Sequence, residues 1–412
     1  MTKPAARNRR PSALQLALTG TGLGLAALLA VGWYFADGLV HVRPVRRPVW
    51  PTRIQRLEQQ PDGSQHVTLT RTPTTLRPGI ITLEWDSPAG IQRGQLGPVL
   101  SQTRVSVTRA LRHADVPLTV GLTVRASTIG LGTPADRGMA QLDVTVPGEH
   151  GPMPAWLIPA SGDTLAAASG TDWVIVTHGY GGLRQDALRI LPTFQRLGLT
   201  SLTITYRNAE GAPRTPEKVH RLSAEEWQDL ECAVQYAEQH GARRILLFGF
   251  SMGGSISLAF LRYSRLARRV TGVMLDSPAL EWRSLIKHHA VRYRLPVVLA
   301  RVVEWLTEFK AKQDFNAVDH LSVMDRFDTP ILLMHGSIDK TVPVSQVETF
   351  AQARPDIVEY HRFEGAQHVR TWNMDPPRYE EAVERFVRRM LDVSGSGREP
   401  QAAPSNKENQ NA

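Results

Sequence analysis

A serine flanked by glycines is the first feature of this sequence with the chemistry of a nucleophile. Gly249-Phe250-Ser251-Met252-Gly253 has the pattern G-x-S-x-G and joins an apolar, strand-like run to a helix-like run. In that context the pattern exposes the serine on a tight, strained turn, where the glycines avoid crowding the neighbouring strand and helix. Because a serine hydroxyl is a poor nucleophile at neutral pH, it needs a base, an acid to orient that base, and donors for an oxyanion.

An aspartate and a histidine follow Ser251 in the chain order Ser, Asp, His. His368, in "EGAQHVRTW", follows the last predicted strand, and we predict that it is the base. We prefer Asp339, in "HGSIDKTVP", as the acid, because it follows the strand immediately before that one. Its rival is Asp276, at the end of strand "VTGVMLDSP", which then has a structural role. Four other histidines compete less well as the base. His288 and His289 lie in an insertion, His320 precedes the acid, and His361 lies within a strand.

The glycine-rich stretch "THGYGG" follows an earlier strand and can present backbone N–H groups to an oxyanion. We assign the oxyanion donors to the backbones of Met252 and Tyr180. For His178 we favour a turn-stabilising role over a direct catalytic one. Together these groups predict acyl transfer through a serine, a mechanism that requires no metal or organic cofactor.

The elements that must position these residues begin near residue 140. Near-continuous apolar strands alternate there with helices, which predicts a mostly parallel sheet covered on both faces. An insertion over 281–327 carries the apolar run "LPVVLARVVEWLTEF" above the carboxyl ends of the strands, where a lid would be. In the final helix six apolar residues share one face at helical spacing: Tyr379, Ala382, Val383, Phe386, Val387 and Met390.

The sequence resembles the α/β-hydrolase superfamily, in particular membrane-anchored bacterial serine hydrolases of the esterase and serine-aminopeptidase type. The resemblance covers residues 140–393 and rests on "THGYGG", "GFSMGG", "LDSP", "HGSIDKTVP" and "GAQH". It implies an α/β-hydrolase fold with Ser251 as nucleophile, Asp339 as acid and His368 as base. This agrees with the assignment made from the residues alone.

The whole chain divides into six predicted segments. These are a basic flank (1–11), a transmembrane anchor (12–36), a linker (37–56), a β-rich region without evident chemistry (57–139), a catalytic domain (140–393) and a disordered tail (394–412).

The charge distribution argues against a nucleic-acid-binding face. Of a net charge of +9 over 412 residues, +8 lies within residues 1–56, so the body is nearly neutral. Residues 16–36 form an uncharged stretch that, as a helix, is long enough to cross a bilayer of about 30 Å. The stretch is also longer than the apolar core of a signal peptide. We therefore predict a retained single-pass anchor in the cell membrane. We place the catalytic body on the extracytoplasmic side, because a long domain translocates largely regardless of flanking charge.

Three functions stay open on this evidence. We prefer a serine hydrolase of carboxylic esters, with thioesters included, acting on a small acyl or lipid-like substrate near a membrane. A serine peptidase or aminopeptidase would use the same triad. The third is a non-catalytic, membrane-anchored scaffold that binds a partner through the β-rich region.

Overall fold

The computed structural model describes residues 13–42 and 52–392. Within these ranges, an N-terminal helix precedes a small β-barrel, and a larger α/β unit follows. The predicted basic flank and the predicted disordered tail lie outside the described residues, as do residues 43–51 of the predicted linker.

The β-rich region forms a closed barrel with the strand order β1-β2-β5-β4-β3-β6. Its interior is filled by apolar side chains that include Ile54, Leu69, Leu83 and Leu96. The predicted start at residue 57 was too late, because the first strand begins at Thr52 and places Ile54 in the barrel core. The strands are β1 (Thr52–Gln59), β2 (Gln65–Thr70), β3 (Ile81–Ser87), β4 (Gly90–Gln102), β5 (Ser106–Ala114) and β6 (Thr123–Ser127).

The α/β unit is built on an eight-stranded sheet with the order β14-β13-β12-β11-β9-β10-β8-β7. The strands from β9 to β14 run parallel, and the β7–β8 hairpin adds the antiparallel edge. Every residue of β9, β10, β11 and β13 is buried, as expected for a sheet covered on both faces. The strands are β7 (Leu142–Gly148), β8 (Gly151–Ile158), β9 (Asp172–Thr177), β10 (Leu199–Ile204), β11 (Ile245–Phe250), β12 (Val270–Asp276), β13 (Ile331–Gly336) and β14 (Val358–Phe363).

Helices cover both faces of this sheet, which confirms the predicted fold class for the α/β unit. Helices α2 (Leu191–Arg196) and α9 (Pro376–Asp392) pack on one face, and all six apolar residues predicted to share a face of α9 are buried. Helices α3 (Glu226–Gln239), α4 (Met252–Tyr263) and α7 (Val344–Ala353) pack on the other. The short helix α8 (Thr371–Met374) leads into α9.

The insertion between β12 and β13 is helical, as predicted. It contains α5 (Trp282–Arg292) and α6 (Val297–Ala311), followed by two short 3₁₀ turns. Buried side chains of both helices, among them Leu285, Leu299 and Val303, join the main hydrophobic core. Its role as a lid stays a prediction.

The N-terminal helix α1 (Ala13–Val40) differs from the predicted anchor. Within residues 13–42 and 52–392, no helix has the length and apolar character of a membrane span. The predicted span at 12–36 is therefore not supported. The helix also continues past residue 36, because Gly32, Ala36 and Val40 form a buried face spaced by four residues. A Cβ atom added at Gly32 would lie 2.6 Å from Val302 Cγ1, so glycine permits a close approach of α1 to α6.

Candidate active site

Ser251 occupies the sharp turn between β11 and α4. Its backbone has φ 51° and ψ −115°, a strained conformation for a residue other than glycine. Steric crowding requires glycine at both flanking positions. A Cβ at Gly249 would lie 2.5 Å from Gly253 O, and a Cβ at Gly253 would collide with Thr177 O. The turn is held by a 2.9 Å hydrogen bond from Ser251 N to Asp276 O, at the end of the adjacent strand.

The structure brings Ser251, His368 and Asp339 together from three separate strand ends. His368 Nε2 lies 2.9 Å from Ser251 Oγ, and His368 Nδ1 lies 2.7 Å from Asp339 Oδ2. Because the carboxylate accepts a hydrogen bond from Nδ1–H, the neutral imidazole presents Nε2 as an acceptor to the serine hydroxyl. This arrangement can move a proton from Ser251 to His368 while Asp339 stabilises the resulting imidazolium.

Asp339 is buried, and both of its carboxylate oxygens accept hydrogen bonds. Its Oδ1 accepts hydrogen bonds from the backbone N–H groups of Thr341 at 2.7 Å and Val342 at 3.0 Å. Burial works against the charged form, but hydrogen bonds from His335 and His368 outweigh it and hold the pKa of Asp339 well below its usual range. The carboxylate is therefore ionised at every pH at which an imidazole base would work.

His335 is a member of this site that sequence reasoning missed. Its ring is fully buried, and its Nε2 lies 3.2 Å from Val342 O and 3.3 Å from Asp339 Oδ2. Since Val342 O can only accept, Nε2 carries the proton and donates to both oxygens. The available signal was a histidine at the carboxyl end of a buried strand, four residues before the acid.

Asp276, the rival acid, accepts its hydrogen bonds from groups other than His368. Its Oδ1 accepts from Ser277 Oγ at 2.9 Å, and its Oδ2 accepts from Thr371 Oγ1 at 2.7 Å and Tyr379 OH at 3.0 Å. Ser277 Oγ in turn accepts from Val369 N at 3.1 Å, next to His368. Asp276 thus links the serine turn, the histidine loop and α9 without contacting the imidazole.

The predicted oxyanion residues flank Ser251. Met252 is the first residue of α4, and the first N–H groups of a helix have no partner within the helix. On the other side, a Cβ at Gly179 would lie 3.0 Å from Ser251 Cβ, so the loop that carries Tyr180 contacts the nucleophile.

The peptide unit between Gly179 and Tyr180 is held in one orientation. Gly179 O accepts from Tyr206 OH at 2.9 Å and from Gly182 N at 2.9 Å, and His178 Nδ1 lies 2.8 Å from it. The His178 ring also stacks on Tyr206 with centroids 4.5 Å apart. Because C=O and N–H point in opposite directions in a trans peptide, these contacts direct the Tyr180 N–H away from Tyr206.

The loop that carries His368 is supported from outside the α/β unit. The side chain of Arg77, which precedes β3 of the barrel, donates to Gln367 Oε1, directly before His368. On the inner side, Arg189 donates to Val369 O at 2.9 Å. No cluster of three or more His, Cys, Asp or Glu side chains in residues 13–42 and 52–392 has a metal-binding arrangement.

Family comparisons agree with this architecture. Residues 219–394 match the model described as the prolyl oligopeptidase family, which includes all three residues of the candidate triad. Residues 54–127, the barrel, match a domain of unknown function. No curated protein is detectably similar to the chain.

Solved structures give the fold. An esterase of Pyrococcus furiosus is 22% identical with a TM-score of 0.50, over 63% of this chain and 96% of that chain. A puromycin-hydrolysing peptidase of Mycobacterium tuberculosis is 19% identical with a TM-score of 0.49, over 82% and 55%. Est1E from Butyrivibrio proteoclasticus is 15% identical with a TM-score of 0.45, over 61% and 99%. The predicted resemblance to the α/β-hydrolase superfamily is confirmed, and the family match supports a serine hydrolase.

Proposed function

We propose that this protein hydrolyses carboxylic esters, thioesters included, through an acyl-enzyme on Ser251. The observation that carries the proposal is the hydrogen-bonded series from Ser251 Oγ through His368 to Asp339, with distances of 2.9 and 2.7 Å. The strained backbone of Ser251 supports it, since strain at a non-glycine residue is retained where function requires an exposed side chain.

In the proposed reaction His368 takes the proton of Ser251 Oγ as the oxygen attacks the ester carbonyl. The N–H groups of Met252 and Tyr180 stabilise the oxyanion of the tetrahedral intermediate. His368 then gives its proton to the leaving alcohol, and a water molecule deprotonated by the same histidine releases the acid from the acyl-enzyme. Asp339 keeps the imidazole oriented in both halves of the reaction.

A serine peptidase is the second candidate, and one feature favours it. A cavity of about 400 Å³ beside Tyr180 is lined by polar groups that include Glu210 and Arg214. The carboxylate of Glu210 would suit the ammonium group of a peptide amino terminus. The ester proposal is favoured by an apolar cavity that α1 forms with the helical insertion and that shares Gly38 with the polar one.

The test compares p-nitrophenyl esters with aminoacyl p-nitroanilides, using the wild type and Ser251→Ala. We expect turnover of esters with little of anilides, and a loss of at least ~10³-fold in kcat for Ser251→Ala. Preferred turnover of aminoacyl anilides would favour the peptidase. A folded wild type that turns over neither class would favour the non-catalytic scaffold.

We also propose that the protein contacts a membrane through its N-terminal helix. Apolar side chains of α1 and α6 are exposed on the outer surface of the pair, among them Leu25, Trp33, Trp305 and Phe309. Sedimentation with anionic vesicles tests this: Leu25→Ser with Trp33→Ser, both in α1, should reduce the bound fraction. Equal binding of wild type and double variant would contradict the contact. The extracytoplasmic location stays a prediction.

A further inference from the structure

A second, apolar cavity lies between α1 and the inserted helices. It has a volume of about 360 Å³. Helix α1 contributes Phe35 and Leu39 to its walls, α5 contributes Leu285, and α6 contributes Leu299 and Val303. Of its thirteen lining residues, only two tyrosines and one histidine carry a polar side-chain atom. A cavity of this composition suits a hydrocarbon chain and offers little to a charged or strongly polar ligand.

Two hydrogen-bond contacts connect residues that line the cavity to the loops of the candidate active site. His289, one of its lining residues, has Nε2 3.0 Å from Thr341 O, and Thr341 N donates to the Asp339 carboxylate. Gly38, another lining residue, accepts a 3.3 Å hydrogen bond from Tyr180 OH. The cavity is therefore bounded by residues one contact away from the acid loop and from the oxyanion loop.

The volume limits what the cavity can hold. A water molecule takes about 30 Å³ in the liquid, and a methylene group is of similar size, so the cavity has room for on the order of ten carbon atoms. Each methylene buried there strengthens binding about fourfold. A medium-length acyl chain would thus be selected over acetate by a large factor.

We infer that α1, α5 and α6 form the acyl-chain pocket of this hydrolase, with α1 as its outer wall. The substrate class is then esters of medium-chain fatty acids of up to roughly ten carbons. This inference rests on the proposed ester hydrolysis and deepens it. It also gives α1 a role in the substrate site that the predicted anchor did not include.

The test measures kcat/KM for p-nitrophenyl acetate and octanoate in variants that fill the cavity. Ala300, a buried lining residue on α6, is changed to Phe, and Val298, which is 53% exposed on the same helix and outside the cavity, is changed to Phe as the matched control. We expect Ala300→Phe to lower the octanoate-to-acetate ratio of kcat/KM at least ~10-fold. Val298→Phe should keep the wild-type ratio.

A second variant tests the wall formed by α1 and keeps the proposal testable if Ala300→Phe does not fold. A Cβ at Gly38 would meet nothing within 4 Å, and leucine is a better helix former than glycine, so Gly38→Leu should fold. It should lower the octanoate-to-acetate ratio in the same direction. An unchanged ratio in both filling variants, with ester turnover intact, would overturn the acyl pocket alone. Absence of turnover of every ester by the wild type would overturn the proposed function and this assignment with it.

Discussion

Asn373 and Ile80 exchange two hydrogen bonds across the junction between the barrel and the α/β unit. Asn373 Nδ2 donates to Ile80 O at 2.9 Å, and Ile80 N donates to Asn373 O at 2.7 Å. Asn373 Nδ2 also donates to Thr128 O at 3.1 Å. Since Asn373 is in α8, five residues after His368, the barrel is attached beside the segment that carries the candidate base.

Removing the Asn373 side chain should weaken this junction. Asn373→Ala leaves the buried Ile80 carbonyl and the partly buried Thr128 carbonyl without this donor, which costs about 1–3 kcal/mol and should lower the melting temperature by several degrees. Thermal unfolding followed by circular dichroism measures the effect, with Gln102→Ala at the exposed end of β4 as control. A melting temperature equal to that of the control would show that the junction contributes nothing to stability.

The two aspartates should respond differently to the same substitution. Asp339→Asn removes the acceptor that orients His368, so kcat should fall about 10³- to 10⁴-fold with the fold intact. Asp276→Asn leaves the imidazole contacts in place and should mainly reduce stability, with a loss in kcat of under ~10-fold. Steady-state kinetics on a p-nitrophenyl ester measures both. An inactive Asp276→Asn beside an active Asp339→Asn would reverse the assignment of the acid.

His335 should protect the ionised state of Asp339 at low pH. Its hydrogen bond lowers the pKa of Asp339, so His335→Phe raises that pKa towards its unperturbed value of about 3.9 or above. The carboxylate then begins to lose its charge as the pH falls, whereas in the wild type it stays ionised. The ratio of kcat/KM at pH 4 to that at pH 8 should therefore fall about twofold or more below the wild-type ratio in His335→Phe, because a carboxyl with a pKa of about 3.9 is half protonated near pH 4.

His335→Gln provides the matched comparison, because its amide can still donate to the carboxylate. It should recover part of the wild-type ratio. A purely structural role for His335 would change kcat/KM equally at both pH values, and that result would contradict the electrostatic role.

Tyr206 should act on catalysis through the orientation of the Gly179 carbonyl. Tyr206→Phe removes one donor to Gly179 O and keeps the stacked ring, so kcat should fall about 10-fold while KM changes little. Tyr236→Phe, on α3 away from the site, is the control. If Tyr206→Phe raised KM and left kcat unchanged, the hydroxyl would serve substrate binding and not the oxyanion.

The sequence predicted those parts of the structure that depend on local periodicity and chain order. Buried strands alternating with helices indicated the sheet, and the apolar stripe of α9 located its buried face. Ser251, Asp339 and His368 each follow a strand, and parallel strands place their carboxyl ends at one edge, so their approach was foreseeable.

The parts that escaped prediction depend on contacts between distant segments. Asn373 and Ile80 are 293 positions apart, and no local pattern connects them. The apolar run at 16–36 has a composition that suits a bilayer and a protein surface equally. The close approach of Gly32 to Val302, which joins α1 to α6, is not encoded in any local pattern. His335 was missed because its contact with Asp339 depends on the turn between them.

We propose Ser251 as a nucleophile that His368 activates. The most direct test of this proposal is the intact mass of the protein after reaction with a fluorophosphonate probe, followed by peptide mapping. Wild type should gain one adduct on Ser251, and Ser251→Ala should gain none. Ser257 lies on α4, the helix that follows the turn, and its hydroxyl donates to Gly253 O, so Ser257→Ala should label like wild type. A folded wild type that takes no label, or a Ser251→Ala variant that labels as fast, would contradict the account.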